Sequence, residues 1–128
     1  VSQSDLTDLI ARCEAATGSD RGLDALIWYA LIEKPSSGQK LDRDMIDRWP
    51  RYTASVDEAL ALIERALPDG CPGLQKNRGT KPPRRWAAWL EVFGGEAGYA
   101  RYVGAAPTPA LALCLSLLRA LQANETRP

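Results

Sequence analysis

Histidine is absent from this chain. Without it no Ser-His-Asp or Cys-His catalytic arrangement can be assembled, and the commonest nitrogen ligand for metals is missing. Methionine and phenylalanine occur once each. Cysteine occurs three times, at Cys13, Cys71 and Cys114. The number is odd, the spacings are wide and no CxxC pair is present, so neither a disulfide framework nor a thiolate zinc site is indicated. Long hydrophobic runs are lacking too. The most apolar stretch, residues 109–118, has about half of the roughly 20 residues that a membrane-spanning helix needs. Ser2, Gln3, Ser4 and Asp5 carry no positive charge, so no secretory leader is read there. The expectation is a protein of the reducing cytoplasm with no membrane segment.

What is present fits one domain over residues 1–128. The chain is 45% apolar and 25% charged, ordinary proportions for a globular protein of this length. Its 16 bases and 16 acids cancel, but they are unevenly placed. Residues 1–70 hold 13 acids and 8 bases, whereas residues 71–128 hold 8 bases and 3 acids. Such asymmetry suits either two faces that attract each other or a positive patch that meets an acidic partner.

Four helices are expected. Ser4 caps the first, in which Leu6, Leu9, Ile10 and Cys13 recur at helical spacing up to a stop near Gly18. Asp8 and Arg12 pair on its outer side. Ser19 or Asp20 caps the second, whose buried side is Leu23, Leu26, Ile27, Ala30 and Leu31, with Trp28, Tyr29 and Ile32 widening the apolar surface. Ser55 and Glu58 form a capping box for the third, which presents Val56, Ala59, Leu60, Ile63, Ala66 and Leu67 and stops at Pro68-Asp69-Gly70. Thr108 caps the fourth, with Pro109 at its first position. That helix, residues 109–122, is apolar around nearly its whole circumference, with Ser116, Arg119 and Gln122 its polar positions. It must be covered on two sides or dimerise. Residues 33–51 read as a polar surface excursion. They contain a short turn capped by Asp42 with Met45, Ile46 and Trp49.

From residue 71 the helical spacing gives way to strands. Residues 85–93 form one, Gly94-Gly95 a turn, and residues 99–103 the return strand. Residues 73–78 make a third strand, Tyr52-Thr53 an edge strand, and residues 124–128 a frayed tail. Cys13 and Cys114 read as core residues, and Cys71 lies in a turn.

Three segments carry a resemblance. They are residues 20–30, Tyr52-Thr53-Ala54-Ser55-Val56-Asp57-Glu58-Ala59-Leu60-Ala61-Leu62, and Pro107-Thr108-Pro109-Ala110-Leu111-Ala112-Leu113-Cys114. Together they resemble the phage ABA sandwich domain family, small proteins of bacteriophages and prophages, over residues 6–121. The resemblance implies a sheet covered by helices on both faces. Combined with the reading above, the expected fold is α+β, a small, mostly antiparallel sheet packed with about four helices in an α-β-α layered sandwich. The family brings no activity to transfer. The chain departs from its pattern at Cys71, where tryptophan is usual, and at Gly104-Ala105-Ala106, where histidine is usual.

The basic loop of residues 76–85 is the leading candidate site. Lys76, Arg78, Lys81, Arg84 and Arg85 would meet an acidic protein surface. With Trp86 and Trp89 beside them, the same cations would suit single-stranded nucleic acid, cations for phosphates and indoles for bases. Asp42, Asp44 and Asp47 are interleaved with Arg43 and Arg48 and lack the pattern of a calcium loop. Asp57 and Glu58 belong to a helix start. Glu91 and Arg101 suggest a cross-strand ion pair. Cys71 has no neighbouring base. No catalytic residue, cofactor or metal is assigned. The function expected is a non-catalytic phage or prophage accessory protein that binds a host protein in the bacterial cytoplasm, for instance to inhibit a defence complex such as a CRISPR effector. Alternatives are a nucleic-acid-binding module and a component that self-associates through helix 23–32 or helix 109–122.

Overall fold

The computed structural model describes residues 3–32, 50–76, 86–93 and 98–125. Seven elements follow in order: α1 (Gln3–Ala15), α2 (Arg21–Leu31), α3 (Val56–Ala66), β1 (Gly70–Lys76), β2 (Trp86–Phe93), β3 (Tyr99–Ala106) and α4 (Pro109–Glu125). The class is the expected one, α+β, with four helices and a small antiparallel sheet of order β1-β2-β3. Most of the 33–51 excursion, Arg78, Lys81, Arg84 and Arg85, the Gly94-Gly95 turn and residues 126–128 lie outside the described residues.

Local chemistry sets the helix starts. Asp20 accepts from the Leu23 N–H (3.1 Å) at the head of α2, and Thr108 accepts from the Leu111 N–H (3.2 Å) at the head of α4. Ser55 accepts from the Glu58 N–H (3.3 Å), one half of the capping box. The Glu58 carboxylate completes it by accepting from the Arg51 N–H, four residues further back than the Ser55 N–H of the usual box. α1 begins at Gln3, so Ser4 lies inside its first turn. The Asp8–Arg12 pair forms at 3.0 Å.

α4 organises the core. Residues 110–118 and Ala120 are all buried. One side of the helix rests on β2 and β3, and the other is covered by α1 and α3. The middle layer of the described residues is therefore α4, and no described helix lies on the opposite face of the sheet. Dimerisation through helix 109–122 loses its basis, because its apolar surface is consumed within one chain. The helix reaches Glu125, so residues 124 and 125, expected in the frayed tail, are helical. Its described polar side chains are used. Ser116 Oγ donates to the Leu113 carbonyl (2.7 Å), Arg119 pairs with Glu14 (2.9 Å), and Gln122 donates to Thr7 Oγ1 (2.9 Å).

The sheet alternates as a half-covered sheet must. Ala88, Leu90, Gly104 and Ala106 are buried toward α4. Their neighbours Trp89, Glu91, Arg101, Val103 and Ala105 point the other way. β1 starts at Gly70 and ends at Lys76, earlier than the expected 73–78, so Cys71 lies on a strand and not in a turn. β3 continues to Ala106, beyond the expected 103. Tyr52-Thr53 is a buried turn and not an edge strand. In α3 Leu62 replaces Leu60 on the inner side, and Leu60 is exposed.

That turn is held by a polar knot. Asp24, fully buried in the first turn of α2, accepts from the Thr53 N–H (2.8 Å) and the Thr53 hydroxyl (2.7 Å). Its second oxygen accepts from Arg21 (2.9 Å). The Thr53 hydroxyl accepts in turn from the Asp20 N–H (2.8 Å). Thr108 donates to the Thr53 carbonyl (3.4 Å), and the Cys114 thiol donates to the Tyr52 carbonyl (3.3 Å). The heads of α2 and α4 and the 52–53 turn thus meet at one point.

Cys13 and Cys114 are core residues, as expected, and Cys71 is exposed. Burial, with Glu14 and Asp20 adding to it, pushes the Cys13 thiol up to about 12. Complete burial drives the Cys114 thiol well above the ordinary thiol range. In the unfolded chain both thiols would ionise near pH 8.5. The folded state then holds protons that the unfolded state releases, so these groups' contribution is intact below about pH 8.5 and declines as pH rises toward 12. Cys13 alone should lower stability by roughly 2 kcal/mol between pH 7 and about pH 10. Urea titrations at the two pH values check this, and equal midpoints would contradict it.

Candidate binding surface

Lys76 is exposed at the end of β1, opposite Trp86 at the start of β2. Its Nζ lies 5.9 Å from the Trp86 ring, a weak cation–π contact at an exposed site. Because Lys76 and Trp86 pair, residues 77–85 are the connection of an antiparallel hairpin. Arg78, Lys81, Arg84 and Arg85 belong to that connection and lie outside the described residues. No acid occurs in residues 70–90. Of the five candidate cations, Lys76 is the described one, and it stands at the β1 end that pairs with Trp86.

The two tryptophans do not form one stacking platform. They are three residues apart on a strand and therefore face opposite ways. Trp86 packs against the core on the α4 side. Trp89 lies on the open side, its indole pressed against Gly73, where a Cβ would collide with the ring. The Arg101 guanidinium sits 4.8 Å from the ring centroid. Glu91 and Arg101 do occupy paired register positions. The ion pair expected between them does not form, because Arg101 is drawn over the indole, and Glu91 makes no ion pair among the described residues.

A second surface was not read from the sequence. Phe93, Tyr99 and Val103 are 53%, 48% and 46% exposed, and all three stand on the open side of the sheet with Trp89. The Phe93 and Tyr99 rings are 5.1 Å apart between centroids. The signal was available as period-two alternation in residues 86–93 and 99–106, which would have set Trp89, Phe93, Tyr99 and Val103 on one side.

Both edges of the sheet resist strand addition. Gly70 donates its N–H to the Leu67 carbonyl (2.9 Å), away from β2. By alternation Pro72, two residues on, turns its missing N–H to the same free edge of β1. On β3, Arg119 donates to the Val103 carbonyl (2.6 Å) while held by Glu14. Proline and a capping charge are known guards of edge strands.

Other concavities offer little chemistry. An open cleft of about 390 Å³ between α1 and α2 has Arg12 and Asp20 as its charged lining. The Asp20 carboxylate already caps α2. Among the described residues no cluster of three or more Cys, Asp or Glu side chains could hold a metal ion. No described helix is long and apolar enough to cross a membrane. Compared with protein-family models, curated proteins and solved structures, the chain matches none.

Proposed function

We propose that this protein acts without catalysis, as an accessory protein of phage or prophage type that binds a host protein with an acidic surface in the bacterial cytoplasm. Inhibition of a host defence complex is the specific form of this reading. The observation that supports it is the exposed Lys76 at the β1 end paired with Trp86, in a stretch of sequence with five cations and no acid from residue 70 to residue 90. Cations gathered in this way steer an acidic partner and fix its orientation more than they add contact energy.

The reading predicts that Arg84→Glu combined with Arg85→Glu weakens capture of the partner from host lysate at least about tenfold, with the fold unchanged by circular dichroism. Reversing the charges of Asp42, Asp44 and Asp47, in the second candidate segment, residues 33–51, should weaken capture less. Equal capture by all variants would sink the proposal.

Nucleic acid is the weaker reading for the same cations. Trp86 is anchored in the core, and Trp89 is occupied by Gly73 and Arg101, so neither indole is free to take a base on both faces. A salt-dependent mobility shift with single-stranded oligonucleotides that disappears in the Arg84, Arg85 variant would favour it instead.

A further inference from the structure

We infer that the open face of the sheet is the interface of a symmetric dimer with a second copy of this chain. The inference uses a different surface from the basic hairpin end and does not depend on the acidic partner. The face carries Trp89, Phe93, Tyr99 and Val103, together with one acid, Glu91, and one base, Arg101. Its formal charge is zero, which suits neither a polyanion nor an acidic protein. It does suit itself.

The strand register supplies the geometry. Across β2 and β3 the pairs on this face are Phe93 with Tyr99, Glu91 with Arg101, and Trp89 with Val103. Consider a two-fold axis along the seam between β2 and β3, in the plane between two stacked sheets. It places β2 of one copy over β3 of the other at the same level. Glu91 then faces Arg101 of the second copy, and Arg101 faces its Glu91. Phe93 faces Tyr99, and Trp89 faces Val103, each twice. A two-fold interface requires this reciprocity of contacts. Sheets stacked face to face lie about 10 Å apart, within reach of interdigitating aromatic side chains. An axis along β2 itself would set Glu91 against Glu91 and is disfavoured. Guarded edges leave the face, and not edge pairing, as the way for two sheets to join.

The contact is small. Two strands of eight residues span roughly 10 Å by 26 Å, well below the roughly 800 Å² per partner of a standard interface. Association is therefore weak and is sought at high protein concentration.

Sedimentation of the full chain from about 10 μM to 2 mM tests the inference. The wild type should pass from monomer to dimer. Glu91→Arg and Arg101→Glu should each weaken association at least about tenfold, because each sets like charges against each other twice. The double exchange, Glu91→Arg with Arg101→Glu, should restore it. Val103→Lys, at an exposed position, should abolish association and serves as the deciding variant if Arg101→Glu disturbs the fold. A wild type that stays monomeric throughout overturns the inference. So does association that Val103→Lys leaves unchanged, or a double exchange no better than the single variants.

Discussion

Asp24→Ala is expected to cost about 2–4 kcal/mol of folding stability. The residue is fully buried and serves three donors, the Thr53 N–H, the Thr53 hydroxyl and Arg21. Alanine would leave the Thr53 N–H without an acceptor, an orphan that costs about 1–3 kcal/mol, while the Thr53 hydroxyl would keep only its longer contact with the Asp20 carbonyl (3.2 Å). Arg21 is less affected, because its side chain is about a quarter exposed (27%) and can turn to water. Asn at position 24 keeps an acceptor for Thr53 but sets an amide NH2, a donor, against Arg21, which can turn to water, so it should cost roughly 1–2 kcal/mol. Denaturant unfolding of both variants measures the difference. An alanine variant within about 1 kcal/mol of wild type would show that the knot is not a principal tie.

Gly104 carries the second large effect. A Cβ there would lie 2.6 Å from the Ala112 carbonyl oxygen, 2.8 Å from the Ser116 nitrogen and 2.9 Å from the Leu115 Cβ. Two of these are backbone atoms of α4, so no rotamer change relieves them, and the helix must lift from the sheet. Gly104→Ala is expected to cost about 3 kcal/mol, the upper end for overpacking, and Gly104→Val should abolish the cooperative transition. Gly18 is the matched control, since a Cβ there meets nothing within 4 Å. Thermal unfolding of Gly18→Ala should resemble the wild type, whereas Gly104→Ala should melt well below it. Equal melting temperatures would contradict the close approach.

How far these features could be read in advance depended on how local their causes are. The caps at Asp20, Ser55 and Thr108 were legible, because a cap and the N–H it serves are three residues apart. So was the β2–β3 pairing, which a short connection enforces. Asp24 was not. An acid in the first turn of a helix reads as a favourable dipole contact, and its burial comes only from Thr53, 29 residues away. Thr53 itself looked like strand, since β-branched and aromatic neighbours suit an extended segment, yet its side chain is committed to the knot. β1 begins three residues before the expected 73–78, a start hidden in the sequence because a proline at 72 argues against a strand unless it lies on an edge. An edge strand tolerates that proline, and Gly73 is the seat of the Trp89 ring. The Glu91–Arg101 register was legible, but the ion pair lost to the π face of Trp89. Of the candidate site, Lys76 lies beside Trp86, Trp89 faces the other way, and the remaining cations fall outside the described residues.

The position of α4 has a consequence for how the chain acquires its fold. The helix that every other layer leans on is the seventh element in order, and its partner α1 is about a hundred residues earlier. Contacts of such long sequence separation slow folding, because loops must close before they are rewarded. Until α4 emerges from the ribosome, α1, α3 and the sheet have apolar sides with nothing between them. A nascent chain of this sequence therefore folds late and all at once, and truncation before Leu111 leaves an unfolded chain for chaperones and proteases to receive.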